Sequence, residues 1–245
     1  MMDFHLIMPM GGRGQRFFEN GFELPKPLNI INGKPFFYWA ARSVEKFAPR
    51  CDITFVVLKE HVERFSIDKA IRGYFPDAGI VVIPEVLKGA VLTCIEGVTA
   101  VCDDLPIVFN DCDHMFKSDA LSAALSEGLR GLDGALVTFK SELPQFSYVR
   151  CDERGRVVET VEKSVISSDA ICGAYAFKNK EIFLNNARRY LENCSYSEYF
   201  MSGVYNCMAQ AGLDSAVFGT DFHVSFGTPE EFFAAEKSEK FEELL

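Results

Sequence analysis

A short run of glycines and basic residues follows the first apolar segment of the chain and could hold phosphate groups. The run comprises Gly11, Gly12, Arg13, Gly14, Gln15 and Arg16, and Lys26 lies between two prolines further along. Glycines let backbone N–H groups approach an anion closely, because no Cβ atom blocks the backbone conformations that this requires. Arg16 and Lys26 add positive charges that can contact phosphate oxygens. We therefore predict that this segment binds the phosphates of a nucleotide.

The composition limits the kinds of partner that this loop could serve. With 245 residues, of which 48% are hydrophobic and 24% charged, the chain can bury the core of a globular protein. The formal net charge of −10 is spread along the chain, which argues against a nucleic-acid partner. No apolar run reaches the roughly 20 residues that span a bilayer, and the N-terminus lacks the layout of a signal peptide. We expect a cytoplasmic protein with no membrane partner, and the oligomeric state stays open.

The cysteines and histidines do not form a recognisable chemical motif. The eight cysteines are scattered, mostly inside apolar segments, with no C-x-x-C pair and no clustered histidines. This pattern is typical of free thiols rather than of a zinc site or a disulfide framework. No Ser-His-Asp or Cys-His set can be identified either, so covalent catalysis is not indicated.

Apolar strands alternate with helical patterns through the first half of the chain. The predicted strands span residues 4–8, 53–58, 80–83, 107–110 and 135–139. The predicted helices span residues 35–47, 61–75 in broken form, 90–101 and 119–129, with Pro35 at the first helical position. This order predicts an α/β protein with a mostly parallel sheet that helices cover on both faces, which makes three layers.

The second half begins with a different pattern. Residues 147–151 and 157–161 flank a turn-rich segment and predict a small β-hairpin insertion. The remaining predicted elements are strands 170–177 and 214–218, helices 180–191 and 198–211, and a last helix that begins at Thr228 and leads to an acidic, mobile end. Ser195 and Glu198 have the spacing of a capping box for the helix 198–211. No interdomain linker is evident, so we predict a single domain over residues 1–245.

The glycine-rich segment resembles the N-terminal signature of the sugar-nucleotide pyrophosphorylases. The matching stretches are residues 7–17, the Leu-Pro-Lys-Pro-Leu run 24–28 and the Asn-Gly-Lys-Pro run 32–35. The segment lacks the Gly-Lys-Ser/Thr ending of a P-loop and the spacing of a dehydrogenase fingerprint. The resemblance is to the nucleotidyltransferase family, whose members have a Rossmann-like, glycosyltransferase-A-type fold, and within it to short enzymes of capsule and surface-polysaccharide pathways. It implies a nucleotide-binding half, 1–140, and an acceptor-binding half, 141–245; the implied nucleotide contacts near the N-terminus are Met10, Gly11, Gly12, Gly14 and Gln15.

The resemblance continues in an acidic loop after the strand 107–110. Loops at the carboxyl ends of strands are where α/β folds bind ligands. The resemblance implies that Asp113 coordinates Mg²⁺ near the α-phosphate, with Asp111 as a second ligand or an outer partner, and that Asn110 contacts the acceptor. Mg²⁺ usually takes only one or two carboxylates and keeps water and phosphate as its other ligands. A solvated Asx turn or a helix N-cap is the structural alternative for these aspartates.

Three further segments match less strictly. Lys88 and Gly89 lie where relatives have a Gln-Gly-Thr-like turn that contacts the base; because Lys88 replaces the amide, the base preference does not carry over, and a plain helix start is the alternative. Glu162 and Lys163 resemble a Glu-Lys pair whose lysine meets the acceptor phosphate, although such pairs are common on protein surfaces. Gly173 follows in a strand where the family's glycine lets the acceptor lie close to the backbone.

One residue departs from the family pattern. Ser225 stands where many members have a second Mg²⁺-binding aspartate, and a serine is a poor substitute for a carboxylate. Either Asp111, Asp221 or His223 compensates, or Asp113 holds the ion with water and phosphates alone, or the protein is a weakened enzyme. The residues after Ser225 could also simply begin a helix.

The resemblance implies an Mg²⁺-dependent transfer of a nucleoside monophosphate from an NTP to a phosphorylated acceptor, most simply a sugar 1-phosphate, with release of pyrophosphate. The product would be an NDP-sugar for polysaccharide biosynthesis. The implied catalytic residues are Arg16, which stabilises the departing pyrophosphate, Lys26, which contacts the α-phosphate, and Lys163, which fixes the acceptor phosphate. Three alternatives stay open: a cytidylyltransferase for a phosphocholine-like or other non-sugar phosphate, a metal-dependent glycosyltransferase, and a non-catalytic nucleotide-binding module, which would explain Ser225.

Overall fold

A nine-stranded sheet forms the centre of the protein, which a computed structural model describes over residues 3–47 and 50–245. The strands of the described residues are β1 (Phe4–Met10), β2 (Ile30–Ile31), β3 (Lys34–Pro35), β4 (Cys51–Leu58), β5 (Gly79–Ile83), β6 (Ile107–Asn110), β7 (His114–Lys117), β8 (Gly134–Lys140), β9 (Ser147–Cys151), β10 (Val157–Glu162), β11 (Asp169–Phe177), β12 (Ser215–Gly219) and β13 (Phe222–Ser225). Strands β2 and β3 form one separate two-stranded ribbon, β7 and β13 form another, and the other nine strands form the central sheet. The helices are α1 (Gln15–Glu19), α2 (Phe36–Glu45), α3 (Lys59–Phe65), α4 (Ile67–Tyr74), α5 (Ala90–Val98), α6 (Asp119–Ser126), α7 (Lys180–Asn193), α8 (Met201–Gln210) and α9 (Pro229–Ala235).

The central sheet is mostly parallel. Strands β5, β4, β1 and β6 lie side by side in one direction, and β12 runs parallel to β8. The exceptions are β11, which pairs antiparallel with both β6 and β8, and β10, which pairs antiparallel with β9 as the predicted hairpin. The hairpin joins the sheet where Tyr148 lies opposite Ala170. The predicted Rossmann-like α/β fold is confirmed.

Alternating side chains of the strands build two cores, one on each face of the sheet. In β1, Leu6 and Met8 face the helices α2, α4 and α6, while Ile7 faces α5, α7 and α8. Successive residues of a strand point to opposite faces, and both faces of β1 are buried, so its sequence reads as a continuous apolar run. The helices on both faces give the predicted three layers. No helix in the described ranges is long and apolar enough to cross a membrane.

A third, aromatic core lies beside the sheet and joins the two ends of the chain. The ring of Phe36 is 5.6 Å from that of Phe17 and 4.7 Å from that of Phe226, measured between centroids. The C-terminal segment, expected to be mobile, instead forms a 3-10 turn over Glu239–Leu244 and buries Phe241 against Trp39. This core fixes α1, which carries Arg16, relative to the turn that follows β13.

The structure corrects two predicted helix starts. Pro35 does not begin α2, because it lies in β3 with an extended backbone (φ −69°, ψ 155°) and pairs with Ile30. The helix predicted from 198 begins at Met201, and no cap from Ser195 is formed. The reason is that Tyr199 is held in a loop contact: its N–H donates to the carbonyl of Lys88 at 3.0 Å, and its carbonyl accepts from the N–H of Val91 at 3.1 Å. The two-stranded ribbon of β7 and β13 was not predicted from the sequence.

Candidate functional site

A cavity of about 260 Å³ opens where the loops after β1 and β6 meet. Six predicted site residues line it: Arg16, Lys26, Asp111, Asp113, Glu162 and Gly173. The loops come together here because β1 and β6 are parallel neighbours, so their carboxyl ends lie at the same edge of the sheet. The other predicted residues do not line it.

An ion pair between Lys26 and Asp113 lies in the wall of the cavity. The Nζ atom of Lys26 donates a hydrogen bond to Oδ2 of Asp113. Burial opposes both charges, yet their mutual attraction raises the pKa of Lys26 and lowers the pKa of Asp113. Gly14 makes this placement possible: its φ is +68°, and a Cβ atom there would lie 2.5 Å from Cβ of Lys26. The glycine loop therefore packs directly on the lysine.

Asp111 is the uncharged member of this group. Burial, followed by repulsion from Asp113, raises its pKa to about 8, so the carboxyl keeps its proton at neutral pH. Its backbone N–H donates to the carbonyl of Gly173 at 3.0 Å, which fixes the loop against β11. A carboxyl that keeps its proton because it is buried beside a second carboxylate is the kind of group that a divalent cation would ionise.

The donor chemistry at this edge of the sheet suits Mg²⁺. Asp111 and Asp113 would supply hard carboxylate oxygens, and the protein need provide only one or two of these. Within residues 3–47 and 50–245, no group of three or more His, Cys, Asp and Glu side chains has the geometry of a complete metal site. The remaining ligands would therefore have to come from water and from phosphate.

The glycine loop borders the cavity and leaves Arg16 free to reach into it. Gly12 is exposed, and a Cβ atom there would meet nothing within 4 Å, so its backbone is open to a ligand. Gly11 is buried against Ile83 and Thr93, and the side chain of Met10 lies in the core. Gln15 is exposed at the first position of α1. Arg16 is exposed, lines the cavity and forms no ion pair within the described part of the chain.

The Lys88 turn is fixed against Tyr199 near the mouth of the cavity. Nζ of Lys88 lies 5.0 Å from the centre of the Tyr199 ring. Gly89 has a φ of +117°, and a Cβ atom there would lie 2.4 Å from the backbone N of Tyr199. Neither residue lines the cavity, but the next one, Ala90, does. The close packing on Tyr199 therefore requires a glycine at position 89, whether or not the turn also contacts a ligand.

The predicted acceptor residues are placed differently from one another. Glu162 lines the cavity, and its Oε2 accepts hydrogen bonds from Ser147 Oγ at 2.5 Å and Ser202 Oγ at 3.0 Å. Lys163 is exposed at the rim with its Nζ 5.3 Å from the ring centre of Phe200, a residue that lines the cavity. The side chain of Asn110 is fully buried and donates to the carbonyl of Ala40 at 2.9 Å. Asn110 therefore anchors β6 to α2 and is not among the residues lining the cavity.

Glu231, which was not predicted from the sequence as a site residue, brings a further carboxylate to the cavity beside Ser225. Its Oε2 accepts from Ser225 Oγ at 2.7 Å and from the N–H of Gly227 at 3.0 Å, and its side chain completes a capping box with Thr228 at the start of α9. The signal was the Thr-Pro-Glu-Glu sequence, in which a capping residue precedes a glutamate by three positions. This turn lies next to the ion pair, because a Cβ atom on Gly227 would be 2.8 Å from Oδ2 of Asp113.

The residues expected to compensate for Ser225 separate into two groups. Asp221 accepts from the backbone N–H of Asp119 at 2.9 Å and does not line the cavity. His223 lines the cavity, as Asp111 does. Among the acids that line it, Glu231 is therefore the one that contacts Ser225 directly.

His114, Phe139 and His223 form one wall of the cavity, and the buried Phe116 supports His114 from behind. We call these four residues the histidine wall. The ring of His223 stacks on Phe139 at 4.0 Å between centroids, and that of His114 stacks on Phe116 at 5.6 Å. Burial lowers the pKa of His114 to about 4 and, with the neighbouring His114, that of His223 to about 3. Both imidazoles are therefore neutral at pH 7.

Solved structures share this fold. A nucleoside-diphosphate-sugar pyrophosphorylase from Vibrio cholerae RC9 is 21% identical and superposes with a TM-score of 0.82 over 95% of this chain and 100% of that chain. An inositol-1-phosphate CTP transferase from T. maritima is 17% identical, with a TM-score of 0.73 over 99% of this chain and 94% of that chain. No protein-family model matches the sequence, and no curated protein matches it either. The chain thus has the fold of nucleotidyltransferases.

Proposed function

We propose that the protein transfers a nucleoside monophosphate from an NTP to a phosphorylated acceptor, with a sugar 1-phosphate as the first candidate, and releases pyrophosphate. The observation that carries the proposal is the juxtaposition of the Lys26–Asp113 ion pair, Asp111 and Arg16 in one cavity beside the open backbone of the glycine loop. A glycosyltransferase would need the aspartates, but the glycine loop and Arg16 would then have no evident role. The shared fold with a pyrophosphorylase and a CTP transferase supports the same choice.

The proposed reaction needs no general base. The phosphate of the acceptor is already an anion at neutral pH, so the main obstacle is to bring two polyanions together in line. Lys26 is held in the cavity wall by Asp113 and would contact the α-phosphate. Arg16, which forms no ion pair within the described residues, would stabilise charge on the departing pyrophosphate. Lys163 would fix the acceptor phosphate at the rim, near Phe200.

The other predicted contacts divide between the two substrates. The backbone of Gly11, Gly12 and Gly14 would cradle the triphosphate, with Met10 and Gln15 at either end of the loop. Lys88 and Gly89 would flank the base. Glu162 and Gly173 would contact the acceptor, and Asn110 would contribute by supporting the strand that carries the aspartates.

Mg²⁺ is part of the proposal, and Asp113 with Asp111 would hold it. The ion would supply positive charge that lowers the repulsion between the reacting phosphates. Glu231 would support these aspartates from the turn after β13, because Gly227 of that turn packs on Asp113. We propose further that the reaction takes place in the cytoplasm and that the product is an NDP-sugar used in capsule or other polysaccharide biosynthesis.

A pyrophosphate-release assay tests the proposal. The purified protein is assayed with each common NTP, Mg²⁺ and a panel of phosphorylated acceptors, beside the variants Arg16→Ala, Lys26→Ala and Asp113→Ala. We expect one NTP and acceptor pair to release pyrophosphate and each variant to lower kcat by about two to three orders of magnitude, because each removes a transition-state contact.

Two substitutions of the same types serve as controls. Arg13 lies in the same loop but pairs with Glu60 at 3.5 Å and does not line the cavity, so Arg13→Ala should retain activity. Asp77 is exposed in the turn before β5, at the amino ends of the parallel strands and away from the cavity, so Asp77→Ala should retain it as well. Robust turnover by all three cavity variants would contradict the assigned roles. Nucleotide binding without pyrophosphate release, for every acceptor, would favour a non-catalytic module instead.

A further inference from the structure

Two imidazoles in the cavity have buried nitrogens without a partner, and the proposed reaction gives neither ring a role. Both ring nitrogens of His114 and Nε2 of His223 are buried and make no hydrogen bond. They are three of the nine such side-chain atoms in residues 3–47 and 50–245, and both rings line one cavity. A buried polar atom without a partner is unfavourable and therefore rare. The presence of three such atoms in one wall of the cavity indicates a ligand that supplies the missing partners.

The ribbon of β7 and β13 presents both imidazoles on one face. His223 lies opposite Phe116, and Ser225 lies opposite His114. Side chains alternate along a strand, so these four residues share a face of the ribbon. The centroids of the two imidazoles are 5.5 Å apart, which is close enough for both to contact neighbouring groups of one small molecule.

Gly173 brings β11 close to His114 and Asp111. The φ of Gly173 is +98°, and a Cβ atom there would be 3.2 Å from Nε2 of His114 and 2.8 Å from Oδ2 of Asp111. A side chain at this position would therefore collide with both groups, and the glycine lets the imidazole and the carboxyl line the cavity together. A hydroxyl group suits such a pair, because it both donates and accepts hydrogen bonds.

We propose that His114 and His223 bind hydroxyl groups of the acceptor and so select a hydroxylated acceptor, such as a sugar phosphate or a polyol phosphate. The inference rests on the proposed nucleotidyl transfer and names the acceptor-selecting residues of that same cavity. A hydroxyl group can donate to the bare nitrogen of an imidazole and accept from its N–H. The trimethylammonium group of phosphocholine can do neither, so it would leave these nitrogens without partners.

Phenylalanine substitutions test the pair directly. His114→Phe and His223→Phe keep a planar ring against the neighbouring phenylalanines but remove the ring nitrogens. We expect each to raise the KM for the acceptor at least tenfold while the KM for the NTP changes less than twofold. The thermal unfolding midpoint should not fall, because the substitution removes unpartnered polar atoms. His114→Gln and His223→Gln retain a donor and an acceptor, so they should recover part of the acceptor affinity, and they serve as second variants if a phenylalanine does not fold.

His61→Phe is the matched control. His61 is also a buried histidine with an unpartnered ring nitrogen, Nδ1, but it lies in α3 and does not line the cavity. The same chemical change should therefore leave the KM for the acceptor within twofold. An equal effect of all three phenylalanine variants would show that the histidines act through general stability, which would overturn the proposal.

The acceptor probes are glucose 1-phosphate, myo-inositol 1-phosphate, glycerol 3-phosphate and phosphocholine. Their binding is measured by calorimetry, independently of turnover, and pyrophosphate release is measured in parallel. Binding of a hydroxylated probe that both phenylalanine variants weaken at least tenfold supports the inference; if no pyrophosphate is released in that case, the proposed function fails while the inference stands. Preference for phosphocholine, no binding of any hydroxylated probe, or binding that the variants leave within twofold overturns the inference, and pyrophosphate release in those cases keeps the proposed function.

Discussion

Two adjoining parts of the cavity lining hold their polar groups in opposite ways. In one part, which we call the phosphate end after its proposed ligand (Arg16, Lys26 and Asp113), the lysine and the aspartate are ionised and satisfy each other without a ligand. In the other part, the histidine wall presents neutral rings stacked on phenylalanines, with buried nitrogens that have no partner. The first part is charged and preorganised, while the second is neutral and incomplete.

We infer from this difference that the charged groups provide affinity for phosphate and that the neutral groups select the acceptor. Charges that are fixed in advance stabilise a phosphate without rearrangement, whichever base or acceptor is attached to it. Unpartnered neutral groups bind a ligand tightly only if it has matching donors and acceptors, and they lower the affinity for a ligand that lacks them. We therefore expect substitutions at the phosphate end to lower turnover with every substrate, and substitutions in the histidine wall to change which acceptor is used.

Gly14→Ala should give the largest effect after removal of the charges themselves. The alanine must adopt a φ near +68°, and its Cβ would lie 2.5 Å from Cβ of Lys26, so the lysine has to move away from its present position. We expect kcat/KM to fall by about 10- to 100-fold, which corresponds to about 1.4–2.7 kcal/mol of transition-state stabilisation. The measurement is pyrophosphate release with the preferred substrates, and the loss should be the same for every acceptor.

Gly21→Ala separates the backbone effect from the displacement of Lys26. Gly21 also has a positive φ, +84°, but a Cβ atom there would meet nothing within 4 Å. Both variants carry the cost of a left-handed alanine, about 1–2 kcal/mol of stability, yet Gly21→Ala should keep kcat/KM within twofold. If the two variants lost activity equally, the close packing of the loop on Lys26 would have no catalytic importance.

The sequence predicted the phosphate end better than the histidine wall, and the reason is the separation of the residues along the chain. Gly14, Arg16 and Lys26 lie within one short segment whose composition indicates phosphate binding. The histidine wall depends on the pairing of β7 with β13. These two short strands come from distant parts of the chain, and no local sequence pattern predicts their pairing. The capping role of Glu231 was readable from its spacing to Thr228, but its contact with Ser225 arises from the turn between them.

The strands and helices were also predicted well where local sequence determines them and poorly where distant contacts do. The strands of the central sheet were predicted from apolar runs, because burial on both faces leaves a strong local pattern. The start of α8 was not predicted, because two backbone hydrogen bonds hold Tyr199 in a loop against the Lys88 turn and override the Ser195 and Glu198 spacing. Pro35 was misplaced for a similar reason, because the short pairing of β2 with β3 requires it to be extended.

The pH dependence of stability should distinguish Asp111 from the histidine wall in metal-free protein. The pKa of Asp111 is about 8, above its unfolded value of 3.8, so the folded state retains a proton that the unfolded state has lost. Stability should therefore fall as the pH rises toward 8. The histidine pKa values, about 4 and 3, lie below the unfolded value of 6.5, so stability should rise with pH from about 4 to 6.5.

These opposing terms should give a maximum of unfolding free energy near pH 6.5, measured by urea denaturation in EDTA. Asp111→Asn should remove the decline between pH 6.5 and 8, whose slope is at most about 1.4 kcal/mol per pH unit. The double variant His114→Phe, His223→Phe should flatten the rise on the acid side. Exposed Asp77→Asn should leave the profile unchanged. A decline that persists in Asp111→Asn would contradict the assignment of the buried proton.

Glu231→Gln should have the smallest effect. It tests whether the turn after β13 holds the phosphate end and the histidine wall in their relative positions. Glu231 Oε2 accepts from Ser225, in the strand that carries His223, and from Gly227, which packs on Asp113. Loss of the carboxylate charge weakens both bonds, so we expect about 1 kcal/mol less stability, a fall of about 2–4 °C in Tm. Exposed Glu236→Gln is the control and should keep the parent Tm. If the turn couples the phosphate end and the histidine wall, the KM values for NTP and acceptor should rise together in Glu231→Gln; a rise in only one would mean that each is held independently.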